Sequence, residues 1–476
     1  MKIHALILAS AFISALPLNL GQCEGDDDDT PTPAPDYGPP LPLAACDMAP
    51  YELAPRAEVG QLVEWEEVPG FNLTAEEVDA LLEEAGYTQL SPVPYGCRVF
   101  RYRYTTQDRG VVLEATGLFG IPANADLPEE PLPNALYLHG TTGFSDPCAP
   151  SNSDTYPDGP AQAALVASLG FVAVAPDYIG MNGFGEGSET EHAYLVGEQA
   201  AIGSWDAMRA GKTLLEDILP PGQLESDDRV VIWGGSQGGH AALFTELYGP
   251  YYAPEFNVVA VSAMVPPSTL PPLVVRGLEF YNDTTTTLVA GMTAMREWYD
   301  HPADLTEVFT NDDPYYLADN AYDYVYPQEE CNPGEGLDAD EVSDIYTQGF
   351  IDAVLAEDWD AVAPWGCFFE ENSVATSSVA PLRFVPTLMI YSEDDELVWT
   401  DTQVDDFDRL CAQGYQLEYL ECQDAGHTDG ALWSLPYQLD FINARLAGEP
   451  IDEDALCVRT PPVCCPASPE DVCTPE

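Results

Sequence analysis

Lysine is almost missing from this 476-residue chain: Lys2 and Lys212 are the only two. With arginine included, 15 basic residues face 81 acidic ones, for a formal charge of -66. A chain so short of positive charge cannot neutralise a phosphate backbone, which excludes nucleic acid as a partner. It also disfavours anionic membrane surfaces and polyanionic substrates. An acidic, lysine-poor surface suits a protein used at high ionic strength, where salt screens self-repulsion. A melting temperature that fails to rise between low and molar salt would refute that expectation. Long apolar runs are missing too. The stretch from Ala5 to Leu16 is apolar over about a dozen residues, too short to span a bilayer, and no other run approaches about 18, so no transmembrane segment is expected. No cysteine stands at zinc-ligand spacing with a histidine, and no metal or cofactor is expected. The Asp26–Asp29 run lacks the alternation and fixed glycine of a calcium loop and reads as a charged spacer.

What is present points to an exported globular protein. Lys2 and the apolar stretch form a signal peptide over residues 1–22. It ends either by ordinary cleavage near Gly21 or at a degenerate lipobox, Leu20-Gly21-Gln22-Cys23, with Cys23 as a lipid anchor. Twelve cysteines fit a secreted, periplasmic or cell-surface protein. By position, Cys411 with Cys422 and Cys331 with Cys367 are plausible pairs. If Cys23 is lipidated, one cysteine of the remaining eleven is left over. Residues 23–45 are an acidic, proline-rich tether. Residues 46–95 lead in, with a capping box at Thr74–Glu77 opening a short helix that stops at Gly86. Cys97–Thr106 and Val111–Ile121 read as an opening antiparallel hairpin.

From Asn134 buried strands and helices alternate. Ala135–Leu138 ends in His139-Gly140-Thr141; Phe171–Ala175 ends in Pro176-Asp177-Tyr178; Val230–Trp233 ends in Gly234-Gly235-Ser236-Gln237-Gly238. Helices are expected at Ala161–Leu169 and Glu198–Leu219. This pattern predicts an α/β fold with a mainly parallel sheet covered by helices on both faces. The first part of that core spans residues 46–267. Residues 268–378 hold helical stretches, such as Leu288–Tyr299 and Val342–Leu355, rich in aromatics and without strands; they read as an inserted helical cap. The core resumes over 379–447, with a strand at Thr387–Tyr391, a second at Gln416–Cys422 and a closing helix at Ala431–Leu446. The tail, 448–476, is rich in cysteine and proline and reads as stapled by disulfides.

Strand, tight turn and helix around Gly234–Gly238 are the setting of a nucleophile elbow. A serine hydroxyl needs an adjacent base, and the base needs a carboxylate to fix its tautomer. In this fold the order along the chain is nucleophile, acid, base. Of the six histidines, only His427 lies in a late strand-end loop after a candidate acid. His4 is in the signal, His139 in the His-Gly loop, His240 in the elbow helix and His301 in the cap. The acid should leave the preceding strand, where Asp394 and Asp395 both qualify; Asp395 is preferred because Val398 follows at the usual loop spacing. Asp177 precedes the serine and reads as structural. The oxyanion donors should be the backbone N–H of Gln237 and that of Thr141.

These stretches resemble the α/β-hydrolase superfamily, and within it the secretory lipase (lipase A-like) esterases. The likeness runs over about residues 97–447 and rests on Leu138–Thr141, Ala175–Met181, His192–Leu195, Gly235–Ala242 and the Asp395 and His427 loops. It implies an α/β-hydrolase fold, ester hydrolysis through an acyl-enzyme, a helical cap over the acyl site, and a triad matching Ser236, Asp395 and His427. No cysteine neighbours Ser236 or His427, which argues against the tannase-like branch. The tether and the tail depart from the family. The expectation is a monomeric serine carboxylic-ester hydrolase with a small or lipid ester as substrate. The alternatives are a peptidase or acyltransferase on the same fold, or a non-catalytic surface binding protein.

Overall fold

Among the described residues, nine strands pair in one sheet in the order β1-β2-β3-β5-β4-β6-β7-β8-β9 in this computed structural model. The structure describes residues 37–42, 45–84, 87–123, 127, 130–153, 158–220, 222–312, 316–325, 331, 337, 339–469 and 472–473. The expected signal peptide, Cys23, most of the tether and the Gly86 stop lie outside these residues.

The strands are β1 (Leu62–Leu73), β2 (Gly96–Asp108), β3 (Val111–Ala123), β4 (Leu132–Leu138), β5 (Val172–Pro176), β6 (Ser226–Gly235), β7 (Asn257–Met264), β8 (Thr387–Ser392) and β9 (Leu417–Cys422). β1, β2, β3 and β5 pair antiparallel; β5, β4, β6, β7, β8 and β9 run parallel. The expected opening hairpin is β2 and β3, turning at Arg109 (φ 47°) and Gly110 (φ 84°). It has a third member that the pattern did not reveal. β1 lies at the sheet edge, half of its residues exposed, and is broken in register around Pro69-Gly70. Its hold on β2 is reinforced by ion pairs of Glu64, Glu66 and Glu67 with Arg103, Arg101 and Arg98.

Side chains alternate across the central strands, as a two-residue repeat requires. Val231 and Trp233 of β6 join one buried cluster, while Val230 and Ile232 join the other. Helices α1 (Ala75–Glu84) and α2 (Asp158–Ser168) pack on the first side, and α3 (Gly197–Ile218) on the second. Helix α4 (Gln237–Tyr252) follows the elbow. Buried aliphatics of this kind typically cost about 2–5 kcal/mol when truncated to alanine.

Between β7 and β8 the described chain is helical: α5 (Pro271–Glu279), α6 (Asp283–Trp298), α7 (Leu317–Val325), α8 (Gln348–Leu355) and α9 (Trp365–Glu371). The stretch expected as one helix over Val342–Leu355 is a short 3-10 turn followed by α8, with Thr347 capping Phe350 N. The apolar residues of this insertion form their own cluster, joined by Met48, Phe144, Tyr194 and Leu195. Asn372, just past α9, fastens it to the core. Its Oδ1 accepts from Gly197 N (3.0 Å), its carbonyl from His240 Nε2 (2.9 Å), and its Nδ2 donates to Tyr299 Oη (3.1 Å). The core closes with α10 (Thr400–Gln413), α11 (His427–Trp433) and α12 (Leu435–Leu446). The single closing helix expected from Ala431 is in fact two, divided at Ser434 with Pro436 at the start of the second.

The disulfides correct the expected pairing. Cys411 joins Cys457, Cys422 joins Cys465, Cys331 joins Cys148, and Cys367 joins Cys46; Cys464 joins Cys473. Three thus hold the tail, as expected of it, and two tie the insertion to the core. Sequence proximity misled because partners are set by packing: Cys422 ends β9, and the tail runs alongside it, with Val463 N donating to Glu421 O (2.9 Å). Cys97 is buried and unpaired. This bridging is that of an exported protein. Among the described residues, no helix is long and apolar enough to cross a membrane.

Candidate active site

Ser236 sits where β6 turns into α4. Its backbone is in an unusual region for a residue with a side chain (φ 55°, ψ -121°), a strain of the kind that nucleophile elbows store. The turn is held by Ser236 N donating to Met264 O (2.8 Å) and His240 N donating to Ser236 O (3.1 Å). The flanking glycines are required by space. A Cβ on Gly238 would lie 1.9 Å from Leu138 O, and one on Gly234 would lie 2.2 Å from Gly238 O. Either clash would push the elbow off the sheet.

His427 opens α11, after β9. Its Nε2 lies 2.8 Å from Ser236 Oγ, and its Nδ1 lies 2.9 and 2.8 Å from the two oxygens of Asp395. A carboxylate only accepts, so Nδ1 carries the proton and Nε2 accepts from the serine hydroxyl. Asp395 is 5% exposed and His427 6%. Asp395 Oδ1 also accepts from Leu397 N (3.0 Å) and Val398 N (2.8 Å), so the loop closes around the carboxylate. Asp394 faces solvent and contributes its backbone N–H to Ala425 O (2.9 Å). Of the two candidate acids, Asp395 is the one brought to the histidine.

The His139–Gly143 loop lies against the elbow: a Cβ on Gly140 would stand 3.3 Å from Gly235 O and 3.6 Å from Ser236 Cβ. Gln237 is the first residue of α4, where the helix dipole favours negative charge. Thr141 Oγ1 lies 2.9 Å from Tyr194 Oη, and Tyr194 packs edge-on against Phe144.

Three other histidines serve the frame. His139, His192 and His240 are buried, and loss of hydration lowers each pKa to about 4, so they are neutral. His192 Nδ1 donates to Ile179 O (3.1 Å), which leaves Nε2 to accept from the Gln237 side-chain amide at 2.9 Å. Tyr178 Oη donates to His139 O (3.0 Å). Asp177 is an organiser, as expected: it accepts from Ser151 N (2.9 Å), Ser151 Oγ (2.5 Å) and Thr116 Oγ1 (2.6 Å), and burial raises its pKa to about 6.

Two supports of this site escaped the sequence reading. Glu396 Oε2 accepts from His427 N (3.0 Å), lacing the acid loop to the base loop. The tie from His192 to Gln237 is the second. For Glu396 a local signal existed, since Asp394-Asp395-Glu396 leaves a strand end, but a run of acids reads first as solvated surface. For His192 none did, because it lies 45 residues from Gln237. Among the described residues, no group of three or more histidine, cysteine or acidic side chains could hold a metal ion.

A mainly parallel sheet with a strained serine at the turn after β6 is the architecture of the α/β-hydrolase fold, and solved structures share that fold. The rice cell wall degrading esterase LipA from Xanthomonas oryzae superimposes with a TM-score of 0.64 at 21% identity, covering 81% of this chain and 97% of that one. Candida antarctica lipase A in its closed state does so at 0.61 and 17% identity, covering 91% and 93%. Within that fold the chain is similar to the secretory lipases over part of its length. The secretory lipase family model matches residues 161–278, which span α2 to α5 and include the elbow. A secreted triacylglycerol lipase of Malassezia furfur is 25% identical over 381 residues, 75% of this chain and 72% of that protein.

Proposed function

We propose that this protein is an exported serine carboxylic-ester hydrolase in which Ser236, His427 and Asp395 form the triad. The observation that carries the reading is the unbroken relay from Ser236 Oγ to His427 Nε2 and from His427 Nδ1 to Asp395. Ser236 Oγ attacks the ester carbonyl as its proton passes to His427. Asp395 keeps the ring in the required tautomer and stabilises its charged form. The collapse of the tetrahedral intermediate takes the proton back from His427 to the alcohol, and the acyl group stays on Ser236. Water, deprotonated by His427, then releases the acid. The N–H groups of Gln237 and Thr141 are the donors to the oxyanion, each worth about 3 kcal/mol in the transition state. The insertion, residues 268–378, acts as a cap. Its aromatic and aliphatic cluster reaches the oxyanion loop through Phe144 and Tyr194, which favours an ester with an apolar acyl or alcohol group.

The test is turnover of p-nitrophenyl esters of graded chain length, set against aminoacyl anilides. Wild type should cleave the esters and take a fluorophosphonate label, and Ser236→Ala should lose both, with activity down by roughly 10⁴ or more. Labelling of Ser236→Ala would overturn the assignment, and faster cleavage of anilides would make the protein a peptidase. Anchoring through a lipid on Cys23 belongs to the same proposal. Among the described residues ten cysteines pair and the buried Cys97 is left over, so none of those five bridges uses Cys23. Release of Cys23→Ser into the medium, against retention of wild type at the membrane, checks it.

A further inference from the structure

The two amides assigned to the oxyanion come from separate elements: Thr141 lies in the loop after β4, and Gln237 opens α4. Donors of this kind stabilise a developing charge only when their spacing is set before the reaction. One segment of the chain, between β5 and α3, reaches both. It closes on itself at its base, where a Cβ on Gly180 (φ 87°) would lie 2.3 Å from His192 N. Tyr178 (φ 69°) and Leu195 (φ 56°), at its two ends, hold left-handed backbone in spite of large side chains. Such strain persists only where the surroundings enforce it, and it gathers at sites that must be held in one shape.

Three side chains leave this segment toward the site. Tyr178 Oη donates to His139 O (3.0 Å), at the root of the oxyanion loop. His192 donates from Nδ1 to Ile179 O (3.1 Å), and its Nε2 accepts from the Gln237 side-chain amide (2.9 Å). Tyr194 Oη lies 2.9 Å from Thr141 Oγ1. His192 and Tyr194 stand on one tight turn, in which Tyr194 N donates to His192 O (2.9 Å). The rings of His139, Tyr178 and His192 follow one another at 4.4 and 5.9 Å. Tyr178, His192 and Tyr194 are all buried, so these bonds do not compete with bulk water.

A histidine or tyrosine needs a hydrogen-bond partner wherever it is buried. Here the partners are the side chains of the two residues whose amides face the oxyanion, and both ties spring from one turn. We infer, on the ester-hydrolase reading above, that His192 and Tyr194 are positioning residues: together they clamp Gln237 and Thr141 and set the spacing of the two oxyanion donors. His192 acts on the start of α4 and Tyr194 on the loop after β4. Neither touches the reacting atoms.

The test is steady-state turnover of a small soluble p-nitrophenyl ester by the full chain. Tyr194→Phe removes the hydroxyl of one arm, and His192→Phe removes the acceptor of the other. The oxyanion forms in acylation and in deacylation alike, so each variant should lower kcat about tenfold and leave KM unchanged. Each should weaken an alkyl trifluoromethyl ketone, whose adduct with Ser236 carries the same oxyanion, by about the same factor. Thr141→Val cuts the first arm from its other end, and combined with Tyr194→Phe it should add nothing. His192→Gln returns an acceptor to the Gln237 amide and should recover most of the loss. Should His192→Phe fail to fold, Gln237→Met cuts the same tie from its other side and should lower kcat alike. Tyr102→Phe removes a buried hydroxyl that donates to Ala207 O (3.0 Å) in the core; it should lower the melting temperature and leave kcat as it is. Wild-type kcat after either arm is cut, an equal fall in Tyr102→Phe, or an effect carried wholly by KM would overturn the clamp. Ser236→Ala keeps the two readings apart. If it is inactive while the arm variants turn over as wild type does, the clamp alone fails; if it stays active, the hydrolase reading fails first.

Discussion

The strand ends around Ser236 and the helical insertion between β7 and β8 are built on different principles. At the strand ends, position is fixed by short directed bonds. Three loops from different strands converge, and the Asp395 carboxylate and the His427 ring each have two or more hydrogen bonds that fix their orientation. In the insertion, position is set by undirected packing of a large apolar cluster, pinned by two disulfides and by Asn372. Directed bonds tolerate little change but set chemistry precisely. Apolar packing tolerates exchange of one side chain for another and can reshape around different ligands. A hydrolase that keeps one reaction while changing its ester would keep the first region and vary the second.

Three variants separate the two regions. The largest effect is expected at Asp395→Asn, which keeps the shape but allows the wrong His427 tautomer. The rate constant kcat should fall about 10⁴-fold. The melting temperature should barely move, because the change is isosteric. A loss of less than tenfold would show that the orientation of His427 does not depend on this carboxylate. Next comes the double change Cys46→Ala, Cys367→Ala. Removal of a bridge across 321 positions should cost about 2–5 kcal/mol in denaturant unfolding. Turnover of a small soluble ester should persist. If that turnover fell as far as in Asp395→Asn, the two regions would not be separable.

The smallest effect is electrostatic and lies under the insertion. Glu198 of α3 accepts from Tyr51 Oη and has the acidic Glu371 of α9 nearby. Burial first, and that charge second, push its carboxyl up to about 8. Glu246 is pushed by burial to about 7. Both bind their proton more tightly folded than unfolded. Their stabilising contribution is therefore present in acid and is lost as pH rises through those values. The neutral histidines His139, His192 and His240 act oppositely, and only as pH falls from 6.5 towards about 4. Between these ranges, from about pH 6.5 to 8, the carboxyls act alone, so the urea midpoint should fall with rising pH. Glu198→Gln keeps the acceptor for Tyr51 and should flatten that slope. An unchanged slope would mean that Glu198 is already ionised in the fold.

Much of this was legible in the sequence because the strand-end chemistry is local. A β-branched strand, two glycines and a serine can specify an elbow unaided, and chain order then singles out His427. Asp395 was legible through Val398, whose amide indeed closes the loop on it. The rest depends on distance. The edge strand β1 was hidden because half of its residues face water and Pro69-Gly70 interrupts it, so no alternation survives. The disulfide partners were hidden because Cys46 and Cys148 meet cysteines brought close only by the folded insertion. The carboxylate of Glu396 and the ring of His192 act on a backbone amide and an amide side chain, and neither leaves a spacing to recognise.

Asn372 gives the molecule a mechanical property. Its single side chain and carbonyl are shared by the start of α3, by His240 one turn into α4, and by Tyr299 just past the end of α6. A shift of the insertion against the core would pull on α4, the helix that begins next to Ser236. Such a shift would reach α4 through Asn372, in parallel with the two disulfides that hold the insertion.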